Sequence, residues 1–140
     1  MFSEASIIAL LEPTGYTIEE TPDKQYDIHG ENDIRLPIVY VGYANIDSNI
    51  SPNEVNFNYL NLHGENETQY FDVQIVCEKV DLVDIRIATH QALVGKLPVG
   101  QIQDTTVLQH NQGGLIGKNN GIIHWLDRYQ IRFPTIFTLY

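Results

Sequence analysis

The sequence predicts an α+β fold: a mixed, mostly antiparallel sheet with two helices packed on one face. Two segments show apolar residues at helical spacing, and several others show the alternation of polar and apolar residues that is typical of strands. The strands cluster around the helices, without the repeated strand–helix–strand units of a dinucleotide-binding fold. With 140 residues, residues 1–140 are expected to form a single domain.

The two helices are predicted at residues 3–12 and 81–96. Ser3 is a suitable capping residue for the first helix, and Pro13 and Gly15 are expected to end it. Asp81 is a plausible cap or first-turn acid for the second helix, and Gly95 lies at its end. The apolar faces are predicted to contain Ile7, Ile8 and Leu11 in the first helix and Leu82, Ile85, Thr89, Ala92 and Leu93 in the second.

Runs of alternating, β-branched and aromatic residues predict the strands. They span residues 16–20, 36–46, 55–59, 68–80, 107–110 and 122–133. In the fourth strand, one face is apolar (Phe71, Val73, Ile75, Cys77) and the other is expected to face solvent (Asp72, Gln74, Glu78). In the last strand, one face comprises Ile123, Trp125, Asp127, Tyr129, Ile131 and Phe133.

The intervening segments carry turn and loop residues. Polar residues predict a loop over 21–35, turns at 47–53 and 64–66, and the glycine-containing stretch 113–121 is expected to be a flexible loop. Pro134 is predicted to end the last strand and to leave an apolar tail over residues 135–140.

Composition excludes several classes of protein. Eight Lys and Arg residues against eighteen Asp and Glu residues give a net charge of −10, which disfavours tight binding to nucleic acid. A single cysteine excludes an internal disulfide, and Cys77 is expected to be a small buried apolar residue. The segment Met1–Glu4 has no basic region and is not expected to begin a signal peptide, and no apolar run is long enough to span a membrane. We therefore expect synthesis inside the cell and no membrane partner.

The sequence contains no strong catalytic or metal-binding motif. The glycine-containing stretch differs from a phosphate-binding loop, because Asn119 follows Lys118 where Ser or Thr is required and a strand follows the loop. No two histidines lie within five residues of each other, whereas zinc sites usually contain a closely spaced ligand pair. His90 is expected to be a half-buried histidine with its hydrogen bonds satisfied. We expect no enzymatic activity, no catalytic residue, no cofactor and no bound metal.

The order of elements resembles that of the tail terminator proteins of long-tailed bacteriophages. The resembling segments are the opening helix Ser3–Glu12, the turn and strand Asp33–Val41, the strand Gln69–Val76, the helix Leu82–Val94 and the strand Ile123–Phe133. The similarity is one of pattern over nearly the whole chain.

The resemblance implies a structural virion protein that forms a hexameric ring, caps the tail tube and forms part of the head–tail (neck) junction. Its implied partners are further copies of itself, the tail tube protein and neck or connector proteins. DNA would pass through the ring without specific binding, and an acidic chain is compatible with this because it repels phosphate. The alternatives are another neck, head-completion or baseplate-type component, or a non-viral acidic binding or adaptor domain.

Candidate contact residues lie in the predicted loops and in the apolar tail, which a closed ring could use. Apolar side chains at a chain end are expected to pack, either on the chain's own sheet or on a neighbouring subunit, since burial of each stabilises by roughly 1.5–3 kcal/mol. The candidates for the interface with another subunit or partner are Asn49, Ile50, Leu115, Ile116, Lys118, Ile136, Phe137, Leu139 and Tyr140.

Overall fold

The computed structural model describes residues 3–22, 36–50, 56–57, 62–97 and 107–138, with backbone only for residues 45–50, 56–57, 62–67 and 133–138. The helices are α1 (Glu4–Leu11) and α2 (Leu82–Leu93). The strands are β1 (Thr17–Glu20), β2 (Ile38–Ile50), β3 (Asn56–Phe57), β4 (Leu62–Glu78), β5 (Gln109–Asn119) and β6 (Ile122–Thr138). They form one sheet in the order β1-β2-β4-β6-β5, and β3 pairs with β4.

The sheet is mixed and mostly antiparallel, as the sequence predicts. β1 runs parallel to β2, and the other described pairs are antiparallel. The predicted loop falls largely on residues 23–35, which lie outside the described residues, as do Leu139 and Tyr140. In the described ranges, no helix combines the length and the apolar character that a membrane crossing requires.

Local capping chemistry sets the bounds of α1. The Ser3 hydroxyl accepts a hydrogen bond from the backbone N–H of Ser6 at 3.3 Å, which satisfies a donor that the helix itself cannot pair. A short 3₁₀ turn over Glu12–Thr14 follows, and Gly15 then takes a left-handed conformation with φ of 83°. A left-handed glycine is a common helix terminator, so the predicted start and end of this helix are confirmed.

Both helices pack on the same face of the sheet. Ile7 and Leu11 of α1 and Ile85 and Leu93 of α2 are buried in one core cluster. Strand and loop residues complete this cluster: Val39, Val41, Phe71, Val73, Ile75, Cys77, Leu108, Tyr129 and Ile131. The prediction of two helices on one face of the sheet is confirmed.

Cys77 is buried, as its apolar surroundings predict. Desolvation raises the pKa of its thiol to about 11, and the nearby carboxylates of Asp81 and Glu78 contribute in the same direction. The thiol is therefore held in its unreactive protonated form at neutral pH.

Three predicted strand ends are wrong, because β2, β4 and β6 continue through them. Asp47–Ile50, predicted as part of a turn, lies in β2 opposite Glu65–Thr68. The predicted turn at Gly64–Asn66 lies within β4, and Pro134 lies within β6 opposite Asn66. Backbone pairing between long neighbouring strands supplies hydrogen bonds that override local turn preferences.

Pro134 occupies a position in β6 that a proline can tolerate. The described residues of β5 pair with β6 only from Ile122 to Gln130, so Pro134 lies beyond that pairing. A proline lacks a backbone N–H, and it is accepted in a sheet where one side of the strand needs no donor.

The predicted flexible loop over 113–121 is also wrong, since most of it belongs to β5. The strand accommodates its glycines with irregularities between His110 and Gln112 and between Leu115 and Gly117. The connection to β6 contains only Asn120 and Gly121, both with positive φ (50° and 83°). Such an Asn-Gly pair favours the tight hairpin turn that matches the twist of two antiparallel strands.

The polar face predicted for β4 is less exposed than expected. Gln74 and Val76 are buried, and Val76 joins Ile38 and Tyr40 in a second apolar cluster on the face opposite the helices. Buried polar groups on this face are satisfied across the strands. His124 Nε2 donates a hydrogen bond to Gln74 Oε1 at 2.6 Å. The buried Gln74 amide oxygen therefore has a partner and does not need contact with water.

Candidate interaction surface and polar cluster

The structure divides the predicted contact residues into two groups. Asn49 and Ile50 end β2, where Ile50 pairs with Glu65 and Glu65 with Thr135 of β6. Ile136 and Phe137 follow directly, opposite Gly64 and His63, so these four candidates share one end of the sheet.

Leu115, Ile116 and Lys118 lie on β5, towards the other end of the sheet. Leu115 pairs with Trp125, which pairs with Ile75 of β4. Ten residues of β4 separate Glu65 from Ile75, which corresponds to roughly 33 Å along the strand. The candidates therefore do not form one continuous surface.

The β5 candidates are exposed to solvent, although they lie in a strand and not in a loop. Leu115 is 52% exposed, Ile116 is 46% exposed, and Lys118 is exposed as well. Leu115 lies directly opposite Trp125 on the sheet face that carries the helices. Apolar side chains at this exposure are available for contact with another molecule.

Sequence reasoning missed an exposed apolar stripe on and beside α2. Val80, Val83 and Ile87 are 78%, 65% and 50% exposed, and their spacing of three and four residues places them on one side of the helix. The same sequence spacing is visible in residues 80, 83 and 87, but the predicted apolar face of this helix does not include them. An exposed stripe beside a buried one gives α2 two apolar faces.

Arg86 connects this stripe to β5. Its guanidinium carbon lies 4.5 Å from the centre of the Trp125 ring, and Leu115 is the cross-strand neighbour of that tryptophan. We call the combined surface of Val80, Val83, Ile87, Leu115 and Ile116 the α2–β5 surface.

Two lysines lie at one end of the α2–β5 surface. Lys79 and Lys118 line an open pocket of about 390 Å³ together with the hairpin residues Asn120 and Gly121. Neither ammonium group forms an ion pair with another residue of the described ranges. A protein with a net charge of −10 thus has an apolar surface with a basic margin.

A buried ionic cluster lies next to this surface. The Asp127 carboxylate is fully buried and accepts hydrogen bonds from Arg86 Nε and Nη2, each at 2.9 Å, and from His110 Nε2 at 2.9 Å. Burial alone would raise the pKa of Asp127, but the donors that face it, Arg86 first and then Trp125 and His110, outweigh burial and hold the pKa below its ordinary value. The Nε1 of Trp125 is buried beside this carboxylate without a well-directed hydrogen bond.

The cluster extends to His90 and Tyr129. His90 Nδ1 lies 3.1 Å from the backbone carbonyl of Arg86 and 2.9 Å from the Tyr129 hydroxyl. The centroids of the His90 and His110 rings are 4.5 Å apart, and the ring planes are tilted by 40°. Desolvation is the main cause that lowers the pKa of His90, and it raises the pKa of the Tyr129 phenol. The expectation of a half-buried, hydrogen-bonded His90 is confirmed.

His90, His110 and Asp127 are the residues of this region that could ligate a metal. Each offers one ligand atom, and these atoms lie within 4.8 Å of one another. These three residues belong to α2, β5 and β6, so they are far apart in the sequence and form no closely spaced ligand pair there. The expectation of no bound metal rested on the spacing of the histidines in the sequence, and spacing cannot reveal ligands that only the fold brings together.

We expect stability to fall as the pH decreases from 8 to 5. Desolvation lowers the pKa values of His90 and His124 in the folded protein, so the unfolded chain binds protons first as the pH falls through about 6.5. The free energy of unfolding is therefore highest above about pH 6.5. It decreases as the pH falls below that value, until the histidines of the folded protein are protonated too. Urea unfolding at several pH values measures the decline. The His124→Gln variant should show a smaller decline, and a profile identical to that of the unmodified protein would refute the assignment.

The fold occurs in a known particle. Among solved structures, a chain of the virion of the native gene transfer agent (GTA) particle superposes on this protein with a TM-score of 0.57. The chain shares its fold with that virion chain. The likeness covers 94% of each chain at 12% sequence identity, so it extends over nearly the full length of both. No protein-family model matches the sequence, and no curated protein matches it either.

Proposed function

We propose that this protein is a structural component of a phage-like virion. The observation that supports the proposal is the fold shared with a chain of the gene transfer agent virion over 94% of both chains. Within such a particle, the order of elements favours a tail terminator, a non-enzymatic subunit that caps the tail tube and contributes to the head–tail junction. The protein would then be located in the virion after synthesis in the host cytoplasm.

The α2–β5 surface is the proposed contact between copies of the chain in a ring, which we take to be hexameric. Val80, Val83, Ile87, Leu115 and Ile116 offer apolar area, and Lys79 and Lys118 offer positive charge at its margin. A neighbouring copy has a net charge of −10 and can present carboxylates to these lysines. Contact between two different surfaces of identical chains closes into a ring when the rotation permits it.

The other end of the sheet is the proposed contact with the tail tube or with neck proteins. Asn49, Ile50, Ile136 and Phe137 share that end, and Leu139 and Tyr140 follow in the sequence. DNA would pass through the ring without specific binding, because an excess of ten acidic residues repels phosphate.

Deletion of the gene from the phage or phage-like element that encodes it tests the proposal. We expect particles with abnormally long tail tubes or with tails that are not joined to heads, and rescue by a plasmid copy of the gene. Electron microscopy of negatively stained lysates measures both effects. Normal tails joined to filled heads in the deletion strain would contradict a terminator function. Absence of the protein from purified particles by mass spectrometry would contradict a virion function altogether.

We expect Ile116→Asp to prevent rescue in that experiment while the isolated protein stays folded. Ile116 is 46% exposed, so a charged side chain at this position should change the stability of the free chain little. The same charge would disrupt an apolar contact between subunits. Val107→Asp is the matched control, since Val107 is 37% exposed and lies outside the α2–β5 surface. Tail length and head attachment are scored for both variants, and thermal unfolding confirms that both fold. Equal rescue by the two variants would remove this surface from the ring contact.

A further inference from the structure

We propose that His90 and His110 bind a divalent zinc ion through one imidazole nitrogen each, with water completing the coordination. The inference is independent of the proposed virion function. It rests on the hydrogen bonds that determine which nitrogen of each ring is protonated, and on the closeness of the potential ligand atoms of His90, His110 and Asp127, which lie within 4.8 Å of one another.

Hydrogen bonding sets which nitrogen of His90 is available. Its Nδ1 lies 3.1 Å from the Arg86 carbonyl oxygen, and a carbonyl can only accept. The Tyr129 hydroxyl lies 2.9 Å from the same nitrogen, and a hydroxyl oxygen can accept from it as well. Nδ1 therefore carries the proton in the neutral ring, and Nε2 keeps a free lone pair. A ring whose other nitrogen donates to a backbone carbonyl has the arrangement found in histidine ligands of metals.

His110 has the complementary arrangement. Its Nε2 lies 2.9 Å from Asp127 Oδ1, and the carboxylate accepts the proton of that nitrogen. The free lone pair is then on Nδ1. The carboxylate–histidine pair is the second arrangement that orients metal-ligating imidazoles and raises their basicity. Asp127 thus acts on the metal through His110, as a positioning residue.

Arg86 explains why Asp127 is assigned this indirect role. Both carboxylate oxygens already accept hydrogen bonds from its guanidinium group, which neutralises the negative charge. The free lone pairs of the two imidazoles remain for the cation. Neutral imidazoles are ligands that zinc favours, and they bind it without adding charge.

The two rings lie close enough for one ion to bind both after the side chains rotate. The ring centroids are 4.5 Å apart with an angle of 40° between the planes. Zinc–nitrogen distances of about 2.0–2.1 Å bring two tetrahedral donors to about 3.3 Å from each other, so small rotations of the two side chains suffice. An open pocket of about 230 Å³, lined by Arg86, Ile87, His90 and Gln91, exposes the His90 side of the site to solvent.

Isothermal titration calorimetry with zinc chloride at pH 7.5 tests the site. We expect one site of micromolar affinity, weakened at least tenfold in His90→Gln and in His110→Gln. His124→Gln is the matched control, because His124 Nε2 is engaged by Gln74 on the opposite face of the sheet. Its affinity should equal that of the unmodified protein. Equal zinc affinity in all three variants would overturn the proposal, since the zinc would then be bound elsewhere.

A second measurement needs no substitution and therefore does not depend on the folding of a variant. Nitrogen-15 spectra of the histidine rings, recorded on the unmodified protein during a zinc titration, report each nitrogen separately. We expect Nε2 of His90 and Nδ1 of His110 to shift together at one equivalent of zinc. Shifts confined to other histidines, or no shift of these two nitrogens at millimolar zinc, would exclude the site.

Discussion

Replacement of Gly113 by alanine is expected to lower the free energy of unfolding by about 3 kcal/mol. Gly113 pairs with Asp127, and a methyl group at this position would overlap Oδ1 of that carboxylate. It would also lie 3.4 Å from Arg86 Nη2 and from Trp125 Nε1. The added carbon thus displaces the buried Asp127 carboxylate from its hydrogen bonds with Arg86 and His110.

Gly114→Ala is the matched control for this prediction. It lies in the same strand, and an added methyl group there would meet nothing within 4 Å. Its effect should stay within about 0.5 kcal/mol, as for surface substitutions in general. Urea unfolding of the two variants and the unmodified protein gives both values. Similar effects of the two substitutions would mean that Gly113 is not required by the ion pair.

Arg86→Met is expected to cost about 3 kcal/mol, because it leaves the Asp127 carboxylate buried without its main partner. The Asp127 side chain is 0% exposed, whereas that of Arg86 is 32% exposed. The charge that remains after the substitution is therefore the one that cannot reach water. The double variant Arg86→Met/Asp127→Leu should recover part of the loss, since it removes the buried charge as well.

A second ion pair of the same chemistry is the control. Arg128 Nε donates to Asp72 Oδ1 at 2.7 Å, but the Asp72 side chain is 17% exposed. Arg128→Met should cost about 1 kcal/mol, because water can solvate the carboxylate that is left. Chemical denaturation gives the free energy of unfolding of Arg86→Met, of the double variant and of Arg128→Met. A larger loss in Arg128→Met than in Arg86→Met would show that burial of Asp127 does not govern the stability of this cluster.

Much of the fold follows from local sequence signals. The Ser3 cap and Gly15 determine the bounds of α1, since both act on backbone groups within a few residues. Alternation in β6 predicts that Asp127 and Tyr129 share the apolar face, and both are buried there. A carboxylate on an apolar face also implies a partner, because an unpaired buried charge is too costly to keep. The sequence does not identify that partner.

Strand bounds depended on pairing between distant segments. Asp47, Gly64 and Pro134 are turn-favouring residues, yet each lies within a strand. Local preferences amount to about 1 kcal/mol or less, and the ladder of backbone hydrogen bonds between β2, β4 and β6 exceeds them. No single segment determines which strand it pairs with or in which register.

The polar cluster and the α2–β5 surface were determined only by the tertiary structure. Arg86 and His110 are separated from Asp127 by 41 and 17 residues, and they meet it because the fold brings side chains of α2 and β5 to β6. The exposed stripe on α2 has the same helical spacing as the buried one, so periodicity alone cannot tell which stripe the sheet covers. The sequence determined which residues share a face of each element. Packing of the elements decided which faces were buried, because a face is buried only where another helix or strand covers it.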